Sequence, residues 1–118
     1  MDRKKQLKLE YKETPRPMGV FKIKNTANGK FFIDSSMNIP GSFNGQRFQL
    51  NLQSHRNRDL QEDWNSYGAD AFVFEILETI KPEKFAKEDW RKAVAALKDK
   101  WLENLQPYKE KGYNKQKS

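Results

Sequence analysis

His55 is the one histidine in a chain that has no cysteine. An imidazole titrates near neutrality, so it could serve as a general base. The competing role is a loop side chain that caps the backbone or touches a phosphate. Asp34, Arg47 and Glu75 are the other groups from which a site could be built. Glu75 lies in an alternating apolar stretch and is expected to face solvent. Without cysteine there are no disulfides and no thiolate metal sites, which fits a reducing compartment, and a cytoplasmic location is expected.

The second chemistry open to this sequence is phosphate binding. The formal net charge is +7, and it is unevenly spread. Residues 17–60 hold Lys22, Lys24, Lys30, Arg47, Arg56 and Arg58 against only Asp34 and Asp59. Residues 61–78 carry carboxylates alone, and both ends are rich in lysine. A basic face attracts phosphate backbones, whereas solvated lysines at the ends can simply maintain solubility. MDRKKQLKLEYKE has no apolar signal region, and no stretch approaches the length of a membrane span. Neither secretion nor a membrane partner is expected.

These groups need elements to hold them. Residues 2–12 favour a short helix or arm, ended by the prolines of T-P-R-P at 14–17. GVFKIKNTANGKFFID at 19–34 reads as a hairpin. Its strands cover about 18–25 and 30–35, and Asn28-Gly29 supplies turn residues that tolerate positive φ. N-I-P-G-S at 38–42 reads as a loop and 43–53 as a helix. Asn57 can cap a second helix carrying Leu60, Trp64 and Tyr67, with Gly68 as its stop. AFVFEILE at 71–78 is a strand with apolar residues on both faces, which predicts a central place in a sheet. Trp90, Val94, Leu97, Trp101 and Leu105 keep helical spacing over 90–105. Trp64, Tyr67, Trp90 and Trp101 are expected in the core. The expected organisation is a basic arm at 1–17, one α+β domain at 18–106, and a basic tail at 107–118, loose except at Tyr108 and Tyr113.

Three segments together resemble the GIY-YIG nuclease superfamily. G-V-F at 19–21 and F-F-I-D at 31–34 are similar to its paired hairpin signature. H-R-N-R-D-L-Q-E-D-W-N-S-Y-G at 55–68 with F-V-F-E-I-L-E at 72–78 resembles its helix and third strand. K-W-L-E-N-L at 100–105 and G-Y-N at 112–114 resemble its closing helix and tail. The resemblance implies a small three-stranded antiparallel sheet flanked by helices, and metal-dependent cleavage of DNA phosphodiesters. It also implies a tyrosine in each half of the hairpin, a helix arginine, and a metal-binding glutamate on the late helix.

At those positions this chain departs from the family. The tyrosines correspond to Phe21 and Phe32, and the last glycine of the second triplet to Asp34. Counting back three residues from Trp101 puts Lys98 where the glutamate is expected. Arg47 is the nearest substitute for the arginine. A phenyl ring cannot relay a proton, and an ammonium repels a divalent cation. Lys98 could pair with Asp34, touch a DNA phosphate, or be an ordinary exposed lysine. Phe21, Phe32, Arg47 and His55 are thus the degenerate catalytic positions. Lys22, Lys24, Lys30, Arg47, Arg56, Arg58 and Lys98 are the candidate nucleic-acid contacts, and no metal ligands are expected.

The leading expectation is a catalytically impaired GIY-YIG-like domain that binds nucleic acid, DNA above all, through backbone phosphates and without a cofactor. One alternative is an active endonuclease with a rebuilt site that uses Mg²⁺ or Mn²⁺. The other is a protein–protein adaptor that keeps only the fold.

Overall fold

The computed structural model describes residues 16–115. The helix expected over 2–12 lies outside the described residues. The first strand, β1 (Gly19–Asn25), turns through Asn28-Gly29 into β2 (Phe31–Ser36). Two helices follow, α1 (Ile39–Asn51) and α2 (Arg58–Tyr67). β3 (Phe72–Thr79) and the long α3 (Trp90–Leu105) complete the regular elements.

The sheet is antiparallel throughout with order β2-β1-β3. β1 is therefore the central strand, and β3, which the sequence placed centrally, lies at an edge. The pairing of β1 with β3 shifts between Val20 and Phe21, so Val20 faces Glu78 while Phe21 faces Ile76. That bulge leaves Leu77 as an extra residue and switches the face of the side chains beyond it. Ahead of the bulge, ordinary alternation puts Val73 and Ile76 on opposite faces of β3, and both are substantially exposed at this sheet edge. Gly19 is where the strands approach most closely. Its φ is +155°, and a Cβ there would lie 2.1 Å from the Glu78 carbonyl oxygen, which only glycine avoids.

One face of the sheet carries Phe21, Ile23, Phe32 and Phe72, packed with Ile39, Leu50, Leu60 and Trp64 from α1 and α2. The other face receives α3. Val20 and Glu78 share that face by register, and the Trp101 indole N–H donates to Glu78 Oε1 at 2.9 Å. Trp64 is core as expected, Trp90 and Trp101 are half-buried, and Tyr67 is exposed.

α1 begins earlier than the proline of N-I-P-G-S suggests. The Asn38 side chain accepts from Gly41 N–H and caps the helix, and Pro40 falls in the first turn, where no intrahelical donor is needed. α2 has the expected Asn57 cap onto Leu60 N–H and ends at Gly68, φ +87°. Over its described residues, 107–115, the tail is docked and not loose. Tyr113 is buried, and Asn114 donates to the Ile33 carbonyl and accepts from its N–H, at 2.9 and 2.8 Å. A polar side chain that satisfies both backbone groups of an edge strand extends the sheet's bonding without adding a strand.

Candidate nucleic-acid interface and candidate catalytic site

The hairpin holds Phe21 and Phe32 on the face toward α1 and α2. Phe21 is fully buried, and its ring stands edge-on to Phe43 at 5.2 Å between centroids. Phe43 in turn stands edge-on to Phe74 at 5.4 Å, and the Arg47 guanidinium lies 4.1 Å over the Phe74 ring. Phe32 packs edge-on against His55 at 5.9 Å. The Phe21, Phe43, Phe74 and Arg47 side chains form one continuous stack, and no ring in it bears a hydroxyl. It can pack and hold a cation, but it cannot transfer a proton.

His55 lies in the loop between α1 and α2 and is buried. Its Nδ1 accepts from the Asn57 backbone N–H at 3.0 Å, which leaves the ring proton on Nε2 for the Gln46 side-chain oxygen. Its backbone N–H donates to Gln61 Oε1 at 3.1 Å. Burial, and then the nearby Arg56 charge, hold the imidazole below its ordinary range. His55 is thus a neutral side chain with both ring nitrogens engaged, a geometry that fixes the loop leading into α2.

At the β2 edge, Asp34 accepts two cations. Lys98 Nζ, reaching over from α3, is 3.3 Å from Oδ1, and an Arg56 guanidinium nitrogen is 3.6 Å from Oδ2. Asp34 Oδ1 also accepts the Ser35 N–H at 2.8 Å. The Asp34 side chain is 14% exposed, Lys98 30% and Arg56 79%, so Lys98 is the sheltered partner and Arg56 the wet one. Lys98 is therefore paired, as one of the sequence alternatives had it.

The family's divalent metal does not fit this donor set. Where the resemblance expects a carboxylate on the late helix there is an ammonium, and the one carboxylate opposite it is already neutralised. Among the described residues no group of three or more His, Asp or Glu side chains could hold a metal ion. Asp99, next to Lys98, is exposed.

The seven candidate phosphate contacts do not form one patch. Lys22 and Lys24 lie on the α3 face of β1. Lys22 reaches Glu75 at 3.9 Å and lies 5.8 Å over Phe31. Lys30, beside the hairpin turn, lies 5.0 Å over the Tyr113 ring. Arg47 is on the opposite side of the sheet, and Arg58 is exposed at the start of α2. Only Arg56 and Lys98 converge, on Asp34. Lys98 also lines a shallow cavity of about 370 Å³ with Tyr108, Asn114 and Lys115.

One polar network, running from buried Asn25 and Tyr113 out to half-buried Asp63 and exposed Asn28, is not legible in the sequence. The Tyr113 hydroxyl donates to Asp63 Oδ2 at 2.7 Å and accepts from the buried Asn25 at 3.1 Å, while Asn28 donates to the same carboxylate oxygen. Burial, and then Asp63, raise the Tyr113 phenol above its ordinary range, so it stays protonated. The signal was the G-Y-N tail, whose partner Asp63 is distant in sequence.

No protein-family model matches the sequence, and no curated protein does. Solved structures do match. The catalytic domain of homing endonuclease I-TevI has a TM-score of 0.69 at 26% identity, over 85% of this chain and 99% of that one. A mutant form of the catalytic domain of intron endonuclease I-TevI has a TM-score of 0.68 at 28% identity, over 83% and 92%. The three-stranded antiparallel α+β fold is that of the GIY-YIG nuclease domain, and the resemblance drawn from the hairpin holds across most of the chain.

Proposed function

We propose that this GIY-YIG-fold domain binds nucleic acid, with DNA as the favoured form, through backbone phosphates and does not cleave it. The observation that carries the proposal is the ion pair between Lys98 and Asp34. It puts an ammonium where the family's chemistry requires a metal-binding carboxylate. Three further facts support it. Phe21 and Phe32 lack the hydroxyls that proton transfer needs. His55 has both ring nitrogens engaged. The solved catalytic domain of a homing endonuclease shares this fold. Arg47, Arg56 and Arg58 supply exposed guanidinium groups suited to phosphate oxygens. Among the described residues no helix is long and apolar enough to cross a membrane, which together with the cysteine-free composition suits a cytoplasmic protein.

The test pairs two assays on the purified chain. Supercoiled plasmid is incubated with Mg²⁺ or Mn²⁺ alongside an EDTA control, and duplex DNA is titrated at several salt concentrations. The expected result is no metal-dependent nicking, with binding that weakens steeply as salt rises. Nicking that persists through repurification and disappears in Arg47→Ala or His55→Ala would establish a working enzyme instead. Absence of binding even at low salt would leave a protein–protein adaptor.

A further inference from the structure

α1 presents its most exposed apolar side chain directly away from the core. At about 100° per residue, Phe48 is opposite the side that buries Ile39 and Leu50. Phe48 is 65% exposed and Leu52, one turn on, is 60% exposed. On the same face one turn earlier is Gly45, around which a Cβ would meet nothing within 4 Å. Glycine weakens a helix interior relative to alanine, and neither packing nor a positive φ requires it here. Its effect is to leave Phe48 standing clear of the helix surface on one flank.

The one charged side chain on α1 is Arg47, next to Phe48, and the helix carries no carboxylate. From residue 35 to residue 58 the chain contains Arg47, Arg56 and Arg58 and no aspartate or glutamate. Amides fill the same segment, among them Asn44, Gln46, Gln49 and Asn51. Gln46 and Asn51 are turned to His55 and Trp64 and Arg56 to Asp34, which leaves Arg47, Gln49 and Asn44 exposed on α1 near the phenyl ring, a guanidinium and two amides that complement phosphates and base edges at once. A phenylalanine wedge between base steps, flanked by cations on the backbone, is a recurring way to grip and kink a duplex.

We infer that α1 is the DNA-contacting helix of this domain, with Phe48 wedging into a base step of duplex DNA and Leu52 packing beside it. Arg47 then lies along the adjoining backbone, held in place by the Phe74 ring. This rests on the DNA-binding proposal above and adds a contact that ionic attraction alone does not require.

The experiment is a fluorescence-anisotropy titration of a short duplex carrying 2-aminopurine. It is run over a salt series with the full chain, Phe48→Ala, Phe48→Trp and Arg47→Ala. Phe48 is exposed, so unchanged circular dichroism and melting are expected in the alanine variant. Phe48→Ala is expected to weaken binding about tenfold with an unchanged salt slope, as removal of one base–aromatic contact does, and to abolish the rise in 2-aminopurine emission. Phe48→Trp is expected to restore both. Arg47→Ala is expected to lower the salt slope by about one phosphate contact. If wild type binds the duplex and Phe48→Ala binds equally well, the wedge is wrong and phosphate binding stands. If wild type binds no DNA, the DNA-binding proposal itself fails. Loss of a dimer in Phe48→Ala by light scattering, or loss of binding to anionic vesicles, would assign the face to a second copy or to a lipid surface and overturn the inference.

Discussion

Lys98 and Asp34 offer a quantitative handle on how α3 is held against β2. At 3.3 Å the Coulomb attraction is about 5 kcal/mol in an effective dielectric of ~20. Desolvation of both groups offsets much of it. With Asp34 14% and Lys98 30% exposed, a net coupling of about 1–2 kcal/mol is expected, between surface and buried pairs. Arg56 is nearly as close, at 3.6 Å, yet 79% exposed, so its coupling to Asp34 should stay below about 0.5 kcal/mol. The assay is a pair of double-mutant cycles by urea unfolding, Asp34→Asn with Lys98→Met and Asp34→Asn with Arg56→Gln. Methionine keeps most of the lysine's alkyl stem, and asparagine keeps the acceptor for Ser35 N–H. Repeating both cycles at about 0.5 M salt should erase the Arg56 coupling and spare most of the Lys98 coupling, because screening acts on the exposed pair. A Lys98 coupling below ~0.3 kcal/mol, or one smaller than that of Arg56, would refute the inference that α3 is electrostatically clasped to β2.

Three other outcomes can be checked with equally small experiments. Wild type should show no melting shift on adding Mn²⁺, whereas Lys98→Glu, which sets a second carboxylate opposite Asp34, should gain several degrees through mass action; no shift in that variant would mean that Lys98 is not what excludes the ion. His55 is held below its ordinary value of 6.5 by burial and Arg56. Above that pH both folded and unfolded states are neutral there. As pH falls below it, the unfolded chain takes up a proton that the fold resists, and stability falls by at most ~1.4 kcal/mol per pH unit until the folded pKa is reached. His55→Gln should therefore flatten the pH dependence of urea stability between about pH 7 and 5.5, and an unchanged profile would contradict the buried neutral imidazole. Gly19→Ala should cost more than about 3 kcal/mol or prevent folding, since its Cβ would enter the Glu78 carbonyl; a variant melting within a few degrees of wild type would show that β3 can yield at the bulge.

The sequence by itself determined the local elements and the chemical identities. The Asn28-Gly29 hairpin, the Asn57 cap, the Gly68 stop and the 90–105 helix depend on neighbours within a turn or two, where propensity, capping and periodicity act directly. The missing hydroxyls at Phe21 and Phe32 and the ammonium at Lys98 needed only residue identity set against a family resemblance. The helix starts at Ile39, within the stretch 38–42 that reads as a loop, although its signal is local: Asn38 caps it and makes Pro40 a first-turn proline. Tertiary structure alone decided what depends on residues far apart in sequence. It put β1 at the centre by pairing it with both β2 and β3, and left the apolar side chains on the two faces of β3 at an edge, with Val73 and Ile76 exposed. It drew the tail onto β2 through Asn114 and buried Tyr113 against Asp63 and Asn25. It separated Lys22 and Lys24 from Arg47 by the thickness of the sheet, so a charge balance summed along the chain did not become one basic patch. Among the roles open to Lys98, it selected the pairing with Asp34, because only the packing of α3 across β2 brings those two charges within 3.3 Å.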